Sequence, residues 1–292
     1  MLMPIAEKTM DQAEGLRRMV QPRPVKVIAV TGGKGGIGKT NVSVNLAITL
    51  ARKNRNVLLM DADFGLANVD VLLGLNSRQN MSHVISGECS LEEITVDGPA
   101  GLKIIPSASG NNSMLNLSTV EHGGLIRAFS EFTHDVDVLL VDTAAGISES
   151  VVTYTRAAHE VIVVVCDEPA SLTDAYALIK VLHRYHGVCR FHVLANMTTN
   201  AYEGRNLFMK LSKVAQRFLD VSLGYIGAIP QDEYLRKAVQ RQQAVVEAFP
   251  RSSSAIAFGK LAKKADEWPM PEVATGQMEF FIERLIQSNN VA

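Results

Sequence analysis

Eight residues near the start of the chain, Gly33-Lys34-Gly35-Gly36-Ile37-Gly38-Lys39-Thr40, satisfy the pattern G-x-x-x-x-G-K-[ST]. Glycines in such a run let backbone N–H groups turn inward around a polyphosphate. A lysine at the position of Lys39 reaches the terminal phosphate oxygens, and a hydroxyl at Thr40 can ligate Mg²⁺. Asn41 follows directly and faces the same site. Lys34 is a second cation that a single phosphate cradle does not need. Its charge is better used on another active site, such as that of a second copy of the chain, much as an arginine finger accelerates phosphoryl transfer by roughly 10³–10⁵. Three acids fit the same chemistry. Asp61 and Asp63 in "LLMDADFGLANVD" stand two residues apart on one side of an extended run, and Asp142 ends "VLLVD". Mg²⁺ keeps several waters and accepts few carboxylates, which suits such a set. Taken singly, each acid could equally cap a helix or a turn.

These residues need a scaffold that gathers them at one end. Short, almost continuously apolar runs recur: Val25 to Thr31, Asn56 to Asp63, Leu102 to Ala108, Val136 to Asp142, Glu160 to Asp167, Arg190 to Met197 and Tyr225 to Asp232. Continuous rather than alternating apolarity predicts parallel strands covered on both faces. Strands alternating with helix-length segments predict a single α/β domain, a doubly wound, mostly parallel sheet with helices on both faces and ligands at the carboxyl ends of its strands. The polar candidates all fall at those ends. Asn196 in "LANM" and Pro230 and Asp232 in "IPQD" end the last two strands, and Asp232 could either meet a base or cap the helix "DEYLRKAVQ".

The 292 residues are 47% hydrophobic and 20% charged, an ordinary globular balance, and a net charge of −1 supplies no global pull on nucleic acid or anionic lipid. The candidate cations Arg236, Lys237, Arg241, Lys260, Lys263 and Lys264 are interleaved with acids, so no direct nucleic-acid binding is expected. Cys89, Cys166 and Cys189 lie far apart and form no C-x-x-C pair, which argues against zinc or an iron–sulfur cluster and suits a reducing compartment. With no signal-like apolar stretch at the N-terminus and no run near the ~20 apolar residues that span a bilayer, a cytoplasmic protein is expected. The organisation predicted is an N-terminal segment and linker over 1–24, a core domain over 25–271, and an amphipathic C-terminal helix over 272–292. In that last helix Met278, Phe281, Ile282, Leu285 and Ile286 form one apolar stripe, which could lie in a groove of its own domain or on a lipid surface.

The run from Lys34 to Thr40 resembles the K-G-G-x-G-K-T signature of the deviant Walker A ATPases of the MinD/ParA group, and the likeness extends from about Val25 to Leu261. It implies ATP and Mg²⁺ as ligands and slow hydrolysis. It also implies an ATP-dependent homodimer in which Lys34 acts across the interface. By the same resemblance Asp63 positions the attacking water, Asp61 supports the Mg²⁺ shell and Asp142 holds Mg²⁺ through water. The Gly146 N–H would sense the γ-phosphate, and Asn196, Pro230 and Asp232 would contact adenine. Near the N-terminus, "DQAEGLR" resembles the D-Q-A-x-x-L-R element of the flagellar-number regulators FlhG and FleN. That likeness implies that Asp11, Gln12, Ala13, Leu16 and Arg17 form a partner-binding segment. It would stimulate the signal-recognition-particle-type GTPase FlhF, with Gln12 acting near its nucleotide. The same family implies restraint of a FleQ-type transcriptional activator and peripheral contact of the C-terminal helix with the inner face of the membrane or the cell pole. A division-site regulator of the MinD type, or an ATP-gated clamp on a transcription factor with incidental hydrolysis, are the competing readings.

Overall fold

The computed structural model describes residues 24–63, 68–75, 79–107, 119–132, 134–271 and 282. The candidate partner-binding residues Asp11, Gln12, Ala13, Leu16 and Arg17, and Phe281, Leu285 and Ile286 of the C-terminal stripe, lie outside them.

Eight strands form one sheet among the described residues: β1 (Lys26–Thr31), β2 (Val57–Ala62), β3 (Val96–Asp97), β4 (Lys103–Ile105), β5 (Val138–Thr143), β6 (Glu160–Val165), β7 (Arg190–Thr198) and β8 (Ser222–Pro230). Their spatial order is β3-β4-β2-β5-β1-β6-β7-β8, and every pairing is parallel except the short β3–β4 pair. This is the doubly wound sheet expected from the sequence. The seven expected strands are present with ends shifted by up to a few residues. The two-residue β3 carries no periodic signal and was not foreseen.

Burial explains the continuous apolarity. Successive residues of one strand feed opposite faces: Ile28 and Val30 join one cluster with Leu46, Ile48 and Phe258, while Val27 and Ala29 join another with Phe129 and Tyr154. The first face is covered by α1 (Lys39–Ala51) and by α11 (Ser253–Glu267), the last helix before Trp268. The opposite face is covered by α5 (Thr119–Ser130), α6 (Glu149–Ala157), α7 (Pro169–His186) and α8 (Ala201–Phe218). Between them in the chain run α2 (Val69–Leu73), α3 (Met81–Ile85), α4 (Leu91–Ile94), α9 (Glu233–Gln240) and α10 (Val245–Ala248). Lys26 Nζ donates to the carbonyls of Ala265, Asp266 and Trp268 at the end of α11. A cation there satisfies the helix's orphan acceptors and its dipole, tying β1 to the last helix.

Ile282 is fully buried, packed in the cluster that holds Val25, Val27, Met81 and Phe129. Of the stripe read as facing either lipid or protein, this residue therefore faces protein. Among the described residues no helix is long and apolar enough to cross a membrane.

Candidate active site

β1 ends at Thr31 and α1 begins at Lys39, so the glycine loop spans the turn from the sheet's carboxyl edge into a helix N-terminus. Two glycines of the run are required by close contacts with the rest of the fold. Gly38 caps α1 with φ 84°, and a Cβ there would lie 2.5 Å from the Asn196 amide nitrogen. A Cβ on Gly33 would lie 2.3 Å from the backbone of Asp174 in α7. Gly33 therefore serves close packing of the loop on a neighbouring helix, rather than lining the cleft. Gly35 and Gly36 face open space. Ile37 turns its side chain into the core, and its carbonyl accepts a 2.7 Å hydrogen bond from Asn196 Nδ2. Asn196, expected to meet the base, here braces the phosphate loop.

The loop opens on a cleft of about 620 Å³ lined by Gly35, Gly36, Gly38, Lys39, Thr40 and Asn41, together with Asp63, Asn68 and Ala145. Its remaining wall is Val71, Leu72, Met197, Val239 and Gln242. Lys39 is buried, and desolvation lowers its pKa while Asp142 and then Asp63 oppose that shift. Asp142 and Asp61 sit side by side, paired in register between β5 and β2. Burial raises the Asp142 carboxyl to about 6 even though Ser43, Thr40 and Lys39 pull it down. Its Oδ1 accepts from Ser43 Oγ at 2.7 Å, whereas Oδ2 is buried without a hydrogen-bond partner. Asn41 Oδ1 is also buried and unpartnered. Orphaned acceptors beside a phosphate loop are what a hydrated divalent cation and its nucleotide would satisfy, so the donor set fits Mg²⁺.

Several expected roles change. Asp61, raised to about 7 by burial and by Asp142, spends both oxygens on backbone N–H groups. Oδ1 accepts from Asp63 at 3.0 Å, and Oδ2 accepts from Asn68 at 3.1 Å and Val69 at 3.2 Å. It holds the loop after β2 instead of facing a cation. The Gly146 N–H donates to the Gly32 carbonyl at 3.1 Å and is not turned toward the cleft, which Ala145 lines instead. Asp232 takes the second of its two expected roles. Its Oδ1 accepts from the Tyr234 N–H, capping α9, and its Oδ2 accepts from the N–H and hydroxyl of Ser254 and the hydroxyl of Ser253 at the start of α11. Burial opposes ionisation, but these donors outweigh it and hold the carboxyl at about 2. Pro230 pairs with Thr198 at the end of β8, and neither it nor Asp232 lines the cleft.

Lys34 does not line the cleft either. Its ammonium is ion-paired with Glu168, just before α7, and that contact raises its pKa. The two lysines thus point to different places: Lys39 inward, Lys34 to the rim.

A family model described as ParA, NUBPL iron-transfer P-loop NTPase, matches residues 24–266. The chain belongs to the ParA family of P-loop NTPases. Within that family it is 60% identical over 272 residues to the antiactivator FleN of Pseudomonas aeruginosa, covering 93% of this chain and 97% of the relative. It is 34% identical to the flagellum site-determining protein YlxH of Helicobacter pylori, covering 90% of each. Among solved structures, the septum site-determining protein MinD from Pyrococcus horikoshii complexed with Mg-ADP is 26% identical. It aligns at a TM-score of 0.66 over 83% of this chain and 96% of that one. The MinC:MinD complex of Aquifex aeolicus aligns at the same TM-score and identity over 85% and 98%.

The family's short motifs made the loop and Asp142 findable. Met197, Val239 and Gln242 carried no such signal. Ser43 could have been found, because it stands four residues beyond Lys39 and so on the same face of α1.

Proposed function

We propose that this chain is an Mg²⁺-dependent ATPase whose ATP-bound form is a homodimer and which regulates flagellar number and placement. The observation that carries the reading is the division of labour between its two loop lysines, one buried in the cleft and one held at the rim. Lys39, the loop N–H groups and the amino end of α1 hold the phosphates. Thr40 and Asp142 would hold Mg²⁺, which when bound neutralises charge on the phosphate oxygens. Asp63 lines the same cleft as the loop and orients a water toward the γ-phosphorus. That water's oxygen forms a bond to phosphorus as the bond to the β–γ bridging oxygen breaks; the electron pair leaves with ADP, and the water's proton passes to the released phosphate. Lys34 exchanges Glu168 for the partner copy's phosphates when two copies meet.

The flagellar part rests on the FleN and YlxH relatives and on the residues Asp11 to Arg17. Restraint of a FleQ-type activator by the ATP dimer, and stimulation of an FlhF-type GTPase by residues 1–22, are the two outputs. Two experiments test the reading. Light scattering of the full chain with Mg-ADP and with a slowly hydrolysed ATP analogue should show a dimer only with the latter; a monomer in both would overturn the switch. GTP hydrolysis by the cognate FlhF-type enzyme should rise with a peptide of residues 1–22 and fail to rise with its Gln12→Ala form. No rise with either peptide favours a division-site role instead.

A further inference from the structure

α2 follows Asp63 and Asn68 in the chain and lends Val71 and Leu72 to the cleft wall, and different side chains hold its two ends. Asp61 takes the N–H groups of Asn68 and Val69 at the amino end. At the carboxyl end, Gln242 Nε2 donates to the Val71 carbonyl at 3.0 Å. Gly74 closes the helix at φ 63°, and a Cβ on it would come within 3.3 Å of Gln242 Cβ. Gln242 thus reaches across 171 residues of sequence to lie against Gly74, whose left-handed backbone disfavours a side chain.

Gln242 also closes α9 in the left-handed region, its N–H donating to the Val239 carbonyl and that of Gln243 to the Ala238 carbonyl. Four non-glycine residues have positive φ among the described residues: Asn54, Ala100, Met197 and Gln242. Two of them, Met197 at 57° and Gln242 at 53°, line the cleft. Glycine would adopt φ 53° more easily but has no side chain to reach Val71. A glutamine at a helix end that glycine would fit better, bonded through its side chain to the cleft wall, points to function.

We propose that Gln242 is a positioning residue for the hydrolysis put forward above. It clamps α2 against the cleft wall, so that Asp63 and Asn68 stay in register with the phosphate loop. The inference rests on the ATPase reading only for its kinetic consequence; the clamp itself is measurable without nucleotide. In the full chain, Gln242→Gly and Gln242→Asn both ease the backbone, since asparagine tolerates the left-handed region and is too short to reach. Thermal midpoints equal to or above wild type are expected. The kcat should fall about tenfold, by more than any change in KM. Hydrogen exchange of the amides over 69–75, in the nucleotide-free protein, should speed up at least about fivefold. Unchanged exchange over 69–75 would overturn the clamp, as would unchanged kcat in an active wild type. A wild type that does not hydrolyse ATP would instead overturn the ATPase reading, with exchange still deciding the clamp.

Discussion

Two buried carboxyls on neighbouring strands set the pH behaviour of the site. Asp61 and Asp142 are raised to about 7 and about 6 from 3.8, by burial first and, for Asp61, by each other's proximity. In the folded chain they hold protons that the unfolded chain has already lost between pH 4 and 7, so ionising them costs folded-state stability. Melting of the nucleotide-free protein should therefore drop as pH rises through that window, and the slope should flatten in Asp142→Asn. Magnesium nucleotide needs the ionised form, so its stabilising effect should grow over the same range. Melts across pH with and without Mg-ADP check both. The lysines separate just as cleanly. Lys39→Ala should abolish nucleotide binding in a fluorescence titration. If Lys34 acts across the dimer as proposed, Lys34→Ala should leave ADP affinity within about twofold yet lower turnover by about 10²–10³ and prevent the ATP dimer.

At the scale of elements, one carboxylate joins two helices. Asp232 caps α9 through Tyr234 and the amino end of α11 through Ser253 and Ser254. Asp232→Ala should cost about 1–2 kcal/mol in chemical denaturation, the usual worth of a lost cap, with nucleotide affinity unchanged; a large loss of affinity would return it to the base site. The residue stood at an undecided position in the sequence because a strand-end acid before a helix looks the same in either role. The phosphate loop, Asp142 and seven of the eight strands were legible, since each rests on local periodicity or a contiguous motif. What stayed hidden depends on contacts remote in sequence. Asn196 bracing Ile37, Gln242 bonding Val71 and Asp174 crowding Gly33 are set by how strands and helices stack, and no local pattern records them. The same holds for Lys34: its surplus was legible, whereas its partner Glu168 was not.

For the molecule as a whole, the residue farthest along the chain that the structure describes is also one of its best buried. Ile282 packs among Val25, Val27, Met81 and Phe129, so Ile282→Ala should destabilise the domain by about 2–4 kcal/mol. A denaturation midpoint equal to wild type would mean that the apolar stripe finds its place elsewhere. The sheet's two margins have a further consequence. On one side it ends in β3, two residues long and antiparallel; on the other it ends in β8, whose pairing with β7 slips register twice. Neither margin offers the long, straight row of free amides and carbonyls that lets one sheet grow into the next. Copies of this chain are thereby steered away from edge-to-edge stacking and fibre-like growth.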